Sequence, residues 1–480
     1  MGSTIDRSQE SEAPMSAQKA SPRKLARELV RLDTAPDLLA LARACPASRL
    51  FYFEHPARNF ALLGVDSALQ IATRGRGRLP ALSRTIRTAL AELAADRAEP
   101  PPVAVGGFGF FDFESESPRW RDFPPALLFV PKLLWTIDGG TKTLSLVFDS
   151  PAERAEIWAM AQRLIAAASA GTMPKAFASP SPERIDSAAR PERDALAQGL
   201  PPASAPDFMG HDQQEQERLR WRERVERALA RLSSGELQKI VLSRAKTARL
   251  PAGLDPGTIV ARLRSKRPRC ASFWMKQGEK SFIGSTPELL VRLCAGRLES
   301  AAMAGSAPRA QTPERDAEAA RRLLVSPKEL FEHKLVVEAV REALAPVART
   351  LEIPAAPEVA AFPESFHLLT PIRGELARAC DVLELAARLH PTPAVCGVPS
   401  LGALEILARE EPERGWYAGG IGWLRSDGDG EFMVALRSAL IERDLVTIFA
   451  GAGIVAGSDP DGEFSEIENK MGALLSELIP

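Results

Sequence analysis

Cysteine is scarce in this chain. Five occur in 480 residues (Cys45, Cys270, Cys294, Cys380 and Cys396), an odd and scattered set without a Cys-x-x-Cys pair. That argues against a disulfide framework or a structural zinc site and points to a reducing compartment. Neither sign of charge is in excess: 61 Lys and Arg stand against 62 Asp and Glu, a net charge of -1. Such a balance gives no electrostatic basis for binding nucleic acid or a membrane surface. Long apolar runs are also missing. The longest candidate, Val446 to Gly457, is glycine-rich and falls short of the roughly 18–20 residues a membrane helix requires. The N-terminal stretch is polar and lacks the apolar core of a secretion signal. No internal repeat is visible. These absences predict a soluble cytoplasmic protein, and nothing in them demands an oligomer, so a monomer is expected.

What the chain does have is hydrophobic sequence, 45% of it, enough for a large core in one domain or a few. Residues 1–22, rich in Ser, Glu, Pro and Lys, read as a disordered tail. Residues 23–173 form an N-terminal part, with strands and a few helices expected between Ala47 and Ala166. Residues 174–209 hold Pro, Ala and Ser without a period and read as a linker or surface loop. From 210 to 480 the pattern sharpens. Trp221, Val225, Leu229 and Leu232 recur at helical spacing over 212–233. Strands are expected at 239–250, 271–275, 280–284 and 288–293, then one long helix from Pro313 to Ala345. Helices at 375–389 and 401–409, strands at 416–425, 431–440 and 445–450, and a helix over 463–478 follow. Strand and helix do not alternate regularly, which predicts an α+β fold with antiparallel sheets.

Several residues carry chemical promise. Glu329 and Glu332 are three apart and share a helix face that continues through Val336, Ala339, Val340 and Ala343. Carboxylates leading into an apolar stripe invite a cation, although a solvated first turn favouring Glu is the plainer alternative. The terminal helix repeats the pattern: Glu463 and Lys470 edge a stripe of Ile467, Met471, Leu474 and Leu478, and Glu466 flanks it. That set fits a metal and anion site, or an ordinary i,i+4 pair of Glu466 with Lys470. Ala450-Gly451-Ala452-Gly453 after a strand would let backbone N–H groups approach an anion, or simply form a tight turn. Arg437, within an apolar strand from Phe432 to Ile441, suits a carboxylate unless it is edge-exposed. Lys239 shares a strand face with Val241 and Ser243; facing a closed site it could act as a base, at a strand start it could be solvated. Glu288 begins an apolar strand, where a raised pKa would suit a general acid. His367 and His390 are lone histidines, a type that is commonly structural.

Taken together the segments resemble the chorismate-utilizing enzymes: isochorismate synthases, salicylate synthases, and the large subunits of anthranilate and aminodeoxychorismate synthases. The resemblance rests on Gly-Glu-Leu-Gln-Lys-Ile-Val-Leu-Ser-Arg (235–244), Ile-Gly-Ser-Thr-Pro-Glu-Leu-Leu (283–290), Ala-Gly-Ser (304–306) and Ser-Pro-Lys-Glu-Leu-Phe-Glu-His (326–333). It continues through His-Leu-Leu-Thr-Pro-Ile-Arg-Gly (367–374), Leu-His-Pro-Thr-Pro-Ala-Val-Cys-Gly (389–397), Arg-Gly-Trp-Tyr-Ala-Gly (414–419), Val-Ala-Leu-Arg-Ser-Ala (434–439) and the stretch 450–470. Phe51-Tyr52-Phe53-Glu54-His55-Pro56 looks like the N-terminal part of isochorismate synthases.

The resemblance implies two packed antiparallel sheets flanked by helices, with the site between them. It implies magnesium held by Glu332 and Glu466, with Glu329 and Glu463 nearby. Arg437, Tyr417, Lys470 and the backbone around Gly451 would bind the carboxylates of chorismate, with Gly305, Ser306 and His367 in the same site. Lys239 would activate water for attack on C2, and Glu288 would protonate the departing C4 hydroxyl. Ammonia-using members typically carry glutamine where Lys239 stands, so the lysine resembles the water-adding branch and implies no amidotransferase subunit. His-Pro-Thr-Pro-Ala-Val-Cys-Gly is more similar to isochorismate synthases, feeding menaquinone or a catechol siderophore, than to salicylate synthases, which also eliminate pyruvate. A non-catalytic chorismate-binding module is a third possibility, against which intact Lys239, Glu288, Glu332 and Glu466 argue. The chain departs from the family pattern at Ser306 (often threonine), Glu329 (often aspartate) and Gly457 (commonly acidic).

Overall fold

The computed structural model describes residues 24–94, 99–170, 211–251, 254–309, 312–363 and 365–478. The expected tail (1–22) and linker (174–209) lie outside the described residues. In chain order the first half holds β1 (Ala26–Arg31), α1 (Leu38–Ala44), β2 (Arg49–His55), β3 (Phe60–Thr73), α2 (Arg78–Leu93), β4 (Val103–Phe108), β5 (Ala126–Asp138), β6 (Thr141–Phe148) and α3 (Pro151–Ala170). There follow α4 (His211–Ser233), β7 (Lys239–Arg249), α5 (Pro256–Lys266), β8 (Ala271–Gln277), β9 (Lys280–Thr286), β10 (Leu289–Cys294), β11 (Arg297–Pro308), α6 (Pro313–Val325), α7 (Pro327–Leu344), β12 (Ala348–Glu352), β13 (Glu358–Ala361) and β14 (Ser365–Leu376). The chain ends with α8 (Val382–Leu389), β15 (Gly397–Val398), α9 (Ser400–Glu410), β16 (Gly420–Arg425), β17 (Gly430–Val434), β18 (Ser438–Glu442), β19 (Leu445–Ile454) and α10 (Pro460–Leu478).

Every strand pairing among the described residues is antiparallel, and the fold is α+β as expected. The pairings trace two arms. One runs β15-β7-β19-β18-β9-β8-β2-β3-β5 and on through β6 to β1. The other runs from β5 through β4-β16-β17-β10-β11 to β14, whose far edge takes β12 and β13. The long strands β3 and β5 pair along their length, and β5 belongs to both arms. Side chains of both arms share one continuous core.

Two short crossings carry the chain between the arms: from β9 to β10 around Glu288, and from β17 to β18 around Arg437. They are stitched together. The Val434 N–H donates to the Glu288 carbonyl (2.9 Å), the Thr286 hydroxyl to the Val434 carbonyl (2.6 Å), and the Ser285 N–H to the Arg437 carbonyl (3.2 Å). Helix α7 packs on β11 of the second arm and α10 on β19 of the first. Catalytic candidates from opposite arms thus face one another.

Four local expectations need correction. The single helix over 313–345 is two, broken at Ser326. Ser326 is extended (φ -73°, ψ 115°), its hydroxyl accepts from the Glu329 N–H, and Pro327, with no N–H to donate, opens the new helix. The helix over 375–389 is only α8; the chain before it is β14, with burial alternating from Ser365 to Ile372. The strand over 431–440 is β17 and β18, and Arg437 lies between them in a left-handed conformation (φ 47°), not inside a strand. Gly451 and Gly453 lie within β19, opposite Ser243 and Val241, not in a turn after it.

A buried ion-pair network braces this frame beside β7. Glu411 accepts from the Ser243 N–H (2.8 Å) and from Arg414 (Nε, 2.8 Å), and also pairs with Arg224 of α4. Burial works against its ionisation, but the two arginines and Ser243 outweigh it and hold the carboxyl below its ordinary 4.5. A depressed folded pKa stabilises above 4.5, and this contribution is lost as pH falls through the folded value. Glu411→Gln is therefore expected to destabilise by roughly 3 kcal/mol at neutral pH, since it strands Arg414. Below pH 4.5 the variant should lose less further stability than the parent. Thermal denaturation across pH measures both effects.

Candidate active site

β7 opens with Lys239, whose side chain is fully buried. Its ammonium stands 2.8 Å from Glu332 Oε1 of α7, but off the hydrogen-bond direction, so Nζ lacks an aligned acceptor. A desolvated ammonium with spare donors is costly unless the space beside it receives a polar group. Gly453 leaves room for the pair: a Cβ there would sit 2.8 Å from Glu332 Oε1 and 3.2 Å from Lys239 Cε. The glycines expected to form a turn therefore clear space above a strand.

Glu288 is buried at the first crossing. Burial pushes its carboxyl up to about 7, against the opposing pull of Lys239 and Arg437. Arg437, at the second crossing, places its guanidinium over the Phe362 ring (4.9 Å) and Nη2 3.5 Å from Ser365 Oγ. Ser365 Oγ is 2.9 Å from His367 Nε2. Burial, then the charges of Arg437 and Lys470, push His367 down to about 3, so the ring is neutral. Tyr417 is buried and stacks on Phe449 (5.3 Å); burial raises its phenol, and its oxygen lies 3.3 Å from where a Gly451 Cβ would be.

Two of the four carboxylates, one from each helix, share a contact on β11. Gly305 (φ 79°) makes a bulge in β11 that presents Ser306 to both. The Ser306 N–H donates to Glu329 (2.9 Å) and its hydroxyl to Glu466 (3.3 Å). Lys470 pairs with Glu466 (2.7 Å) and donates to the Gly451 carbonyl (3.1 Å). Lys328 reaches Glu463 (3.4 Å). Burial raises Glu329, although the Ser306 N–H opposes it; burial and Glu466 raise Glu463. Burial also disfavours ionised Glu466, but Lys470 and Ser306 outweigh it and hold it below the usual range.

Among the described residues no three acidic, His or Cys side chains stand close enough together to hold a metal ion. Three of the four carboxylates are instead answered by lysines. The donors nonetheless fit magnesium in kind: hard carboxylate oxygens from two helices, those of Glu329 and Glu466 meeting at one backbone bulge, with Glu329 and Glu463 raised by burial.

All thirteen expected site residues thus fall in one region between the arms. Sequence reasoning missed Lys328, Ser365 and Phe362, and took Gly453 for part of an anion-approaching segment or a turn. Lys328 was readable as a cation in the quoted motif, but spacing alone pairs it with Glu332, four residues on, and not with Glu463. His390 is structural: Nε2 lies 3.1 Å from the Phe110 carbonyl, and burial pushes it down to about 3. A separate cleft of about 470 Å³, lined by Trp221, Arg224, Arg244, Glu411 and Phe449, contains none of the expected residues.

A family model described as chorismate binding enzyme matches residues 11–479. The salicylate biosynthesis isochorismate synthase of Pseudomonas aeruginosa is 40% identical over 268 residues, 56% of this chain and 56% of that protein. The chain therefore spans little more than half the length of that relative. Isochorismate synthase MenF of Bacillus subtilis is 30% identical over 388 residues, 78% of this chain and 74% of its own length. The structure of MenF, the menaquinone-specific isochorismate synthase from Escherichia coli, is similar with a TM-score of 0.73 at 25% identity, covering 95% of this chain and 94% of that one.

The central ion pair is asymmetric: the Lys239 side chain is 0% exposed and that of Glu332 14%. Removing the carboxylate strands a dry ammonium, whereas removing the ammonium leaves a carboxylate that water can reach. Glu332→Gln is expected to lower thermal stability by roughly 3 kcal/mol, and Lys239→Met by clearly less or not at all. Equal losses in thermal denaturation would show that the buried charge does not govern the site.

Proposed function

The chain belongs to the chorismate-binding enzyme family, and from that membership and the site geometry we propose that it converts chorismate to isochorismate. The observation that carries the proposal is the fully buried Lys239 amino group, whose Nζ has no aligned hydrogen-bond partner, within electrostatic reach of a Glu288 carboxyl that burial pushes up to about 7. Such a pair of groups suits acid–base work across the two faces of a ring. Lysine rather than glutamine at 239 favours water over ammonia as the nucleophile.

Arg437, Tyr417, Lys470 and the backbone at Gly451 bind the substrate carboxylates, and neutral His367 closes the site beside Arg437. Lys239 is the base: it takes the proton that water releases while the water oxygen bonds to C2. The ring double bonds shift, the C4–O bond breaks, and Glu288 gives its proton to the departing oxygen. One water enters and one leaves, so the product is an isomer of the substrate. Glu332 and Glu466 would hold magnesium, with Glu329 and Glu463 beside them, and the ion supplies positive charge to the ring carboxylate. Because water needs no ammonia donor, the proposal includes no amidotransferase subunit and takes the enzyme to be a cytoplasmic monomer.

The test is to incubate the protein with chorismate, with and without magnesium, and separate the products. Isochorismate formed only with magnesium is expected. Salicylate with pyruvate would make it a salicylate synthase, and bound but unconverted chorismate would make it a binding module. Lys239→Gln should lower kcat by roughly 10²–10⁴-fold without unfolding the protein. The acid works only while Glu288 is protonated, so kcat/KM should fall as pH rises through about 7. A flat profile above pH 7, or a Glu288→Gln enzyme with parent turnover, would remove Glu288 from the acid role.

A further inference from the structure

His333 follows Glu332 on α7 and is buried. Its ring spans two strands: Nδ1 lies 3.1 Å from the Ala304 carbonyl oxygen of β11, and Nε2 lies 2.7 Å from Thr370 Oγ1 of β14. A carbonyl oxygen can only accept, so Nδ1 carries the hydrogen. In a neutral ring Nε2 then accepts from the Thr370 hydroxyl. Both contacts are satisfied by one tautomer only.

The strand atom that His333 grips is significant. Ala304 immediately precedes Gly305, where the β11–β14 register slips and the bulge forms. The next residue, Ser306, offers its N–H to Glu329 and its hydroxyl to Glu466. One imidazole therefore ties the helix bearing Glu329 and Glu332 to the bulge that faces Glu466. The other buried apolar anchors of α7, Val336, Val340 and Leu344, lie one to three turns further along, while the first turns are held by Leu330 packing and by the polar contacts of Glu329 and Glu332 themselves. At the N-terminus the Ser326 cap is long, 3.5 Å from the Glu329 N–H. Without His333 the helix would keep its core contacts, but the turn bearing the carboxylates would lose its one neutral side-chain tie to both β11 and β14.

We propose that His333 is a positioning residue: donating from Nδ1 to the Ala304 carbonyl and bonded through Nε2 to Thr370, it clamps the first turns of α7 to the β11 bulge and so sets the spacing at which the carboxylates take a divalent cation. This rests on the magnesium reading above. Partners that orient metal ligands typically change metal affinity by about 10- to 100-fold when removed.

The experiment compares the parent with His333→Leu, His333→Asn and Thr370→Val. Magnesium binding is read by titration calorimetry, chorismate KM by assay, and the ring by nitrogen-15 NMR of histidine-labelled protein. His333→Leu should weaken magnesium binding about 10- to 100-fold while the protein stays folded. His333→Asn, which can still donate to Ala304, should retain more affinity than the leucine variant, and Thr370→Val should lose least. The spectrum of the parent should show one neutral histidine protonated at Nδ1 that is absent from every His333 variant. A folded His333→Leu protein with parent magnesium affinity would overturn the proposal, as would a His333 ring that carries no hydrogen on Nδ1. If His333→Leu fails to fold, the asparagine and valine variants and the tautomer still decide. A parent protein that binds no magnesium would sink the cation reading and the cation half of this proposal. The tautomer would then judge the clamp alone.

Discussion

The site depends on a single dry contact, the Lys239 ammonium against the Glu332 carboxylate. Taking an ammonium out of water costs several kcal/mol unless an anion meets it. The anion here comes from the other arm: β7 brings the amine, and α7, seated on β11, brings the carboxylate. The two arms must therefore close for the ammonium to be tolerated, and Gly453, with no side chain in the gap, leaves room for the pair. The same dry gap raises Glu288. Its burial outweighs the attraction of Lys239 and Arg437 and leaves a carboxyl that can both hold and release a proton near neutral pH.

Around that contact the charges are arranged by topology. The two crossings between the arms deliver Glu288 and Arg437, and their backbone hydrogen bonds lock one crossing to the other. The two helices deliver the carboxylates. Ser306 is where they meet, because the bulge at Gly305 turns a backbone N–H toward one helix and a hydroxyl toward the other. Three lysines answer three of the carboxylates, one within α10, one between α7 and α10, and one from β7. Acidic helices that would repel one another are thereby held together at short range.

Much of this was legible in the chain. The i,i+3 carboxylates on apolar helices mark their faces toward the core, and the mixed order of elements marks an α+β fold. The spacing of Glu466 and Lys470 left an ordinary helix pair and a site pair as alternatives, and the structure shows both at once: the two pair at 2.7 Å within the cluster at Ser306. Other features were readable but misread. Pro327 marks the break between α6 and α7, and alternation through Phe366, Leu368, Thr370 and Ile372 marks β14. The glycines at 451 and 453 resemble a turn because small residues serve turns and close packing alike. Nothing local distinguishes the two uses until Tyr417 and Glu332 are seen above the strand.

By itself the sequence determined which chemical groups are available and on which face of each helix or strand they stand. Those properties follow from the residue type and from periods of 3.6 and 2. Only the tertiary structure decided which groups meet. Lys239 and Glu332 are 93 positions apart, and Ser306 and Glu466 160. Local spacing says nothing about contacts at such range, because the antiparallel register of the two arms sets them. It also decided how the groups ionise, since the loss of water that raises Glu288 and neutralises His367 exists only once the arms have closed.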